Sequence, residues 1–207
     1  MIVLFSLIIL FFSIMLHEIA HGSVASSLGD PTAKYAGRLT LNPIKHIDVF
    51  GTIILPLFLI IVRSPFLIGW AKPVPINPYN FRDQKWGTFK VAIAGPLTNF
   101  LVAVVFAMSI RFFPSFLPLP ELLIRLLAII AFYNFLWGFF NLVPIPPLDG
   151  SHILFKFLPN SAYGTQVFLQ RYGTFILLFF IFFGGLNFLG WITQTVFNIV
   201  VGTPMAF

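Results

Sequence analysis

Long runs without a charged residue constrain this chain more than any other feature. Residues 1–16, 91–110, 126–148 and 172–207 contain no Lys, Arg, Asp or Glu. About 20 apolar residues are enough to cross the hydrocarbon layer of a bilayer as a helix. Charged residues make up 9% of the chain, against about 25% in soluble domains, so they could not cover a water-facing surface. The sequence predicts an all-α, multi-pass membrane protein with four transmembrane helices, the first retained and continuing to about residue 27.

A fifth apolar stretch, residues 49–62, is shorter. It has fourteen uncharged residues, contains Pro56 and is followed by Arg63 and Pro65. Its length suits a re-entrant or interfacial hairpin over residues 49–71 better than a crossing. If the stretch returns to its own side, all Lys and Arg except Arg111 and Arg125 share one face, as the positive-inside rule predicts for the cytoplasm. We therefore expect one domain, 1–207, with residues 30–88 cytoplasmic and both termini outside.

Two segments in this cytoplasmic part have the pattern of short strands. Residues 36–43 alternate apolar and polar side chains and end in Asn-Pro, and residues 69–76 form the second candidate. They predict a small β-ribbon at the cytoplasmic face. The first of these strands could pair with an extended substrate.

The first apolar run contains the string His17-Glu18-Ile19-Ala20-His21. On a helix, His17 and His21 project from one face and can bind one metal ion, while Glu18 beside them can act as a general base. Ionisable groups inside a membrane are costly and usually functional. The chain has no Cys, so the metal would be held by His and carboxylates. A catalytic zinc usually has three protein ligands and a water, so a third ligand is needed.

Three further polar residues in or beside apolar runs are candidates for the site. Asp149 follows the proline-rich end of the third run and precedes Gly150, so its carboxylate could turn back into the helix bundle or lie solvated in a turn. Asn99 and Asn141 could donate to the oxyanion of a reaction intermediate. They could equally bond to a neighbouring helix. The residues alone leave these alternatives open.

Together these motifs resemble the site-2 protease family of intramembrane zinc metalloproteases, in its compact prokaryotic form. The resemblance rests on the His-Glu-Ile-Ala-His string, the Asn-x-x-Pro-x-x-Pro-x-Asp-Gly string at 141–150, the Gly-Pro-x-x-Asn string at 95–99 and the segment 69–75. It implies that His17, His21 and Asp149 bind one Zn²⁺ per chain and that Glu18 is the catalytic acid/base. It also implies hydrolysis of membrane protein substrates in or near their transmembrane segments, as in regulated intramembrane proteolysis.

The resemblance and the charge pattern also predict the setting of the protein. We expect it in the plasma membrane of a prokaryote, with the site toward the cytoplasm and transmembrane proteins as its substrates. No nucleic acid partner is expected, because the basic residues are scattered singly, and association into a homo-oligomer is left open. The competing hypotheses are a metal-binding transporter, whose ionisable groups would line an ion path, and a non-catalytic membrane scaffold.

Overall fold

The computed structural model describes residues 2–63 and 69–202. The chain divides into two compact units, Met1–Gly95 and Pro96–Phe207. Within the described ranges all regular elements are helical. Four helices are long and apolar enough to cross a membrane, namely Leu4–Ser27, Gly87–Phe112, Glu121–Asn141 and Asn160–Val201. The prediction of an all-α fold with four helices able to cross a membrane is therefore confirmed.

The first unit is built on helix α1, Ile2–Ser27. The chain turns two residues after the helix ends, at Gly29, which has a φ of 106° and therefore adopts a conformation that favours glycine. Near this end, Ala25 forms a buried apolar cluster with Phe81 and Val91. A short helix, α2, Thr32–Tyr35, follows.

The loop after α2 is where the first strand of the predicted β-ribbon was expected, and that prediction is wrong. Residues 37–42 form turns and bends, followed by a short 3₁₀ helix, Pro43–His46. The carbonyl of Thr40 accepts a hydrogen bond from the fully buried His46 ring, at 2.9 Å from its Nε2. The Arg38 guanidinium donates to the carbonyl of Lys45. Because side chains take these carbonyls, the loop is held by side-chain bonds and has no strand partner among the described residues.

The second expected strand, residues 69–76, is also not part of a sheet. Its backbone N–H groups donate to three separate acceptors. Trp70 donates to the carbonyl of Gly51 at 3.2 Å, and Lys72 donates to the carbonyl of His46 at 2.9 Å. Val74 donates to a side chain of α1. Residues 73 and 75 are prolines and have no N–H to donate. We call residues 70–77 the strap. The strap crosses the first unit as an irregular segment.

The stretch predicted as a hairpin begins with a helical segment, Val49–Ile61. It consists of a π-helical part, Val49–Ile54, and helix α3, Leu55–Ile61. Pro56 lies in the first turn of α3, directly after the π-helical part. Residues 64–68, where the predicted hairpin would turn back, lie outside the described residues, so the hairpin is not established.

Helix α4, Gly87–Phe112, begins in the first unit and continues into the second. In the second unit it is followed by α5, Glu121–Asn141. The apolar core of this unit contains small side chains, which allow helices to pack closely, and a few aromatic or branched ones: Ala103, Ala107, Ile110, Ala128, Ala131, Phe135, Phe197 and Val201. Helix α5 begins five residues before the predicted charge-free run and includes two charged residues, Glu121 and Arg125, which form an exposed ion pair at 2.5 Å.

A proline-rich turn follows α5 and leads into the short helix α6, Asp149–Phe157. A side chain at Gly150 would lie 2.2 Å from the carbonyl oxygen of Leu142, so only glycine fits there. The last candidate span comprises α7, Tyr163–Phe180, and α8, Leu186–Val201. They are separated by a kink at Gly184, which has a φ of 95°. The last candidate span therefore starts before residue 172, where the predicted charge-free run begins, and a second helix follows the kink.

Candidate metal centre

The two histidines of the His-Glu-Ile-Ala-His string lie on one face of α1, as the sequence predicts. Their Nε2 atoms are 2.9 Å apart, and both residues are buried, with 4% and 6% of their surface exposed for His17 and His21. The Nδ1 of His21 lies 2.7 Å from the carbonyl oxygen of Val91 on α4. Since a carbonyl can only accept, Nδ1 carries the proton, and the Nε2 lone pair of His21 faces His17.

Gly95 on α4 makes room for both imidazole rings. A Cβ atom at this position would lie 2.5 Å from His17 Cε1, 2.5 Å from His21 Nε2 and 2.6 Å from His17 Nε2. Any side chain at position 95 would therefore collide with the two nitrogens that face each other. In the sequence, the Gly-Pro string was only part of a resemblance. The structure gives a steric reason for glycine at its first position.

This pair of histidines fits a divalent metal ion. A metal-binding His usually donates its other ring N–H to a carbonyl or carboxylate, which fixes the ring and its tautomer. His21 does this through Val91. Its Nε2 lone pair then points at a second ring nitrogen at 2.9 Å, an arrangement that a cation or a proton between the two nitrogens stabilises. Imidazole nitrogen is also a preferred ligand of zinc.

Glu18, the predicted general base, is half-buried and accepts a hydrogen bond from the strap. The backbone N–H of Val74 donates to Glu18 Oε2 at 2.8 Å. Among the described residues, Oε1 of the same carboxylate accepts no hydrogen bond. One oxygen of Glu18 is therefore fixed by the backbone of the strap, and the role of Glu18 as general base stays a prediction.

The remaining predicted residues lie in the second unit. Asp149 is the first residue of α6 and is half-buried, and its role as third ligand stays a prediction. Asn99 is fully buried, and its Nδ2 donates to Oδ1 of Asn134 at 3.1 Å. Asn141 donates to the carbonyl of Trp137, 3.0 Å away in its own helix. Each amide therefore donates to a structural acceptor, and the oxyanion role of Asn99 and Asn141 stays a prediction.

Sequence reasoning missed Val74, Asn134 and Asp30. Val74 carries no polar side chain, so its contact with Glu18 leaves no signal in the sequence. Asn134 is a buried amide in an apolar helix, with 1% of its surface exposed, the same signal that identified Asn99. Asp30 gives no motif in the sequence, but it is fully buried and accepts hydrogen bonds from Thr32, Asn77 and Asn80.

Comparison with known proteins identifies the family. The model of Peptidase family M50 matches residues 119–184. A protein of Bacillus subtilis named "Putative zinc metalloprotease YwhC" is 37% identical over 179 residues, which cover 83% of this chain and 77% of the relative. The chain belongs to peptidase family M50, the site-2 protease family.

Two further relatives of this M50 member have lower identities. "Putative zinc metalloprotease Rip2" of Mycolicibacterium smegmatis is 27% identical over 84% of the chain, which spans 65% of that protein. "Zinc metalloprotease MJ0392" of Methanocaldococcus jannaschii is 28% identical over 76% of the chain, which spans 35% of that protein. The chain thus covers about two thirds of one of these proteins and about a third of the other. No solved structure matches the chain.

Proposed function

We propose that this M50 member is an intramembrane zinc metalloprotease that hydrolyses peptide bonds in or near transmembrane segments of other membrane proteins. The observation that carries the proposal is the convergence of His17 and His21 Nε2 at 2.9 Å, with Glu18 between them in sequence. The family membership and the names of the relatives support it. The His pair lies in an apolar helix of 24 residues, Leu4–Ser27, which places this chemistry in a candidate membrane span.

In this proposal His17, His21 and Asp149 hold one zinc ion per chain, a set of two imidazoles and one carboxylate that suits a catalytic zinc. When bound, zinc polarises the scissile carbonyl and makes water nucleophilic at neutral pH. Val91 keeps His21 in the tautomer that offers Nε2 as a ligand. Glu18 takes the proton of the attacking water at Oε1, while Oε2 is held by Val74, and then passes that proton to the leaving amine.

The proposal also includes the setting of the reaction. Ten of the 12 Lys and Arg share one face if residues 49–71 return to their own side, because only Arg111 and Arg125 then lie on the other. That bias supports a plasma-membrane protease with its site toward the cytoplasm and with both termini outside. The substrates are membrane proteins processed by regulated intramembrane proteolysis. Homo-oligomerisation stays open.

Removal and return of the metal test this function. Purified full-length protein in detergent is incubated with a panel of single-span substrates before and after treatment with a zinc chelator. We expect cleavage to stop after chelation and to return with about one equivalent of added zinc per chain. Cleavage that persists in fully zinc-free protein would exclude a zinc mechanism.

The same preparation separates a protease from a transporter. Reconstituted into vesicles, a transporter moves zinc across the bilayer without cutting any substrate. A protease cuts the substrate without net zinc flux. Zinc flux with no cleavage of the whole panel would therefore replace the proposed function by the competing one.

A further inference from the structure

We propose that the strap, residues 70–77, positions the Glu18 carboxylate, and that Val74 is the positioning residue. This inference rests on the proposed function, because it treats Glu18 as the base. Val74 contributes a backbone donor and a buried side chain, with 6% of its surface exposed. Both are needed, since the N–H fixes one carboxylate oxygen and the side chain fixes where that N–H lies.

The sequence of the strap leaves Val74 as its only donor near Glu18. Pro73 and Pro75 have no N–H, so Val74 has the one backbone N–H between Lys72 and Ile76. A residue before proline is restricted to extended backbone conformations, which applies to Lys72 and Val74. The segment is therefore stiff, and it presents one N–H group to Oε2 of Glu18 at 2.8 Å. A hydrogen bond to an ionised carboxylate is among the strong ones.

The side chain of Val74 fits into a notch on α1. The notch lies at Gly22, one helical turn after Glu18 and on the same face. A Cβ at Gly22 would lie 2.7 Å from Val74 Cγ1 and 2.8 Å from Leu39 Cδ2. The absence of a side chain at position 22 thus allows Val74 to come close enough for its N–H to reach Glu18.

Both ends of the strap are fixed to the first unit. At its upstream end, Lys72 N–H donates to the carbonyl of His46 at 2.9 Å. At its downstream end, Asn77 N–H donates to Oδ2 of the fully buried Asp30 at 2.7 Å. A short segment with two fixed ends and two prolines has little freedom to move away from α1. Val74 therefore holds Oε2 in place and leaves Oε1 directed for proton transfer.

The test adds a side chain in the notch and then shortens the side chain that faces it. Gly22→Ala adds the Cβ that collides with Val74, and Gly22→Ala combined with Val74→Ala removes Cγ1 again, with Val74→Ala alone as the reference. Gly190→Ala is the matched control, because a Cβ there meets nothing within 4 Å. The readouts are kcat and KM on one substrate, bound zinc, and hydrogen exchange of the strap amides in full-length protein.

For Gly22→Ala we expect faster exchange of the strap amides, unchanged zinc and KM, and a kcat about 100-fold lower, the size of effect that a misplacement of about 1 Å produces. The double variant should recover part of the protection and of kcat, because the new Cβ still lies close to Leu39 Cδ2, and Gly190→Ala should match the wild type. The proposal is wrong if the strap of Gly22→Ala exchanges faster while kcat is unchanged. It is equally wrong if kcat and zinc are lost together, or if the double variant recovers nothing.

Two further measurements distinguish failure of the strap proposal from failure of the proposed function. Glu18→Ala removes the acceptor, so exchange at the strap should rise even in protein without zinc, and an unchanged rate would overturn the strap proposal. Asp30→Asn frees the downstream end and serves as the second variant if Gly22→Ala does not fold. It should lower kcat in the same way, and faster strap exchange with normal kcat would overturn the proposal. Failure of wild-type protein to cleave any substrate would count against the proposed function alone.

Discussion

Gly95→Ala is the substitution whose effect follows most directly from the structure. Its Cβ would lie 2.5 Å from His17 Cε1 and from His21 Nε2, whereas non-bonded carbon atoms prefer separations of about 3.5–4.0 Å. The rings or the helix must therefore move by about 1 Å. Metal–ligand distances tolerate only about 0.2 Å. The variant should thus lose zinc before it loses its fold.

The substitution should lower zinc affinity more than it lowers the global stability of the protein. Overpacking of this kind costs about 1–3 kcal/mol, while alanine is favoured over glycine inside a helix by about 0.5–1 kcal/mol. Global stability should fall by no more than about 2.5 kcal/mol. Zinc affinity, in contrast, should fall about 10- to 100-fold, as it does when groups that support metal ligands are changed.

The assay is competition for zinc between the purified protein and a chelator of known affinity, with thermal unfolding measured on the same samples. Gly190→Ala is the control, since it makes the same helix-favouring change in open space. It should bind zinc like the wild type. If Gly95→Ala also binds zinc like the wild type, the role assigned to this glycine is refuted.

Three further predictions concern residues outside the histidine pair. Asp149→Ala should weaken zinc retention in the chelator assay, and full retention would remove Asp149 from the ligand set. Asn134→Leu removes the acceptor of Asn99 and should lower stability toward a denaturing detergent by about 1 kcal/mol, whereas equal stability would show that the bond contributes nothing. Burial alone would raise the pKa of Asp30, but hydrogen bonds from Thr32, Asn77 and Asn80 outweigh it and lower that pKa below 3.8. The Asp30 carboxylate therefore adds stability above about pH 4, and this stability is lost as the pH falls through the lowered pKa. Asp30→Asn should be less stable than the wild type at neutral pH and should lack this acid-dependent loss. Identical pH profiles of stability for the two proteins would contradict the prediction.

The local features of the site could be predicted from the sequence. A helix places residues four apart on one face, so the spacing of His17 and His21 alone determined that their rings would meet. The four spans could also be predicted, because the length of a stretch without charged residues is a local property of the sequence. The absence of charge places the start of α5 too late, because a helix can begin with charged residues, as α5 does with Glu121 and Arg125.

Features that depend on particular side-chain and backbone contacts could not be predicted. The alternation in residues 36–43 is typical of a strand, but His46 and Arg38 bind the backbone carbonyls of their own loop and hold it in turns. The contact between Val74 and Glu18 joins residues 56 positions apart. No pattern in the sequence indicates which backbone N–H reaches a given carboxylate, and the two prolines beside Val74 indicate only that the segment is stiff.

The central claim, that Glu18 acts as the base of a zinc protease, is tested most directly by one paired measurement. Wild type and Glu18→Gln are purified together, bound zinc is determined in both, and single-turnover cleavage of the same transmembrane substrate is followed. The substitution keeps the size of the side chain but removes its capacity to take a proton. We predict equal zinc content and a cleavage rate lowered at least about 100-fold in Glu18→Gln. Equal cleavage rates at equal zinc content would contradict the account.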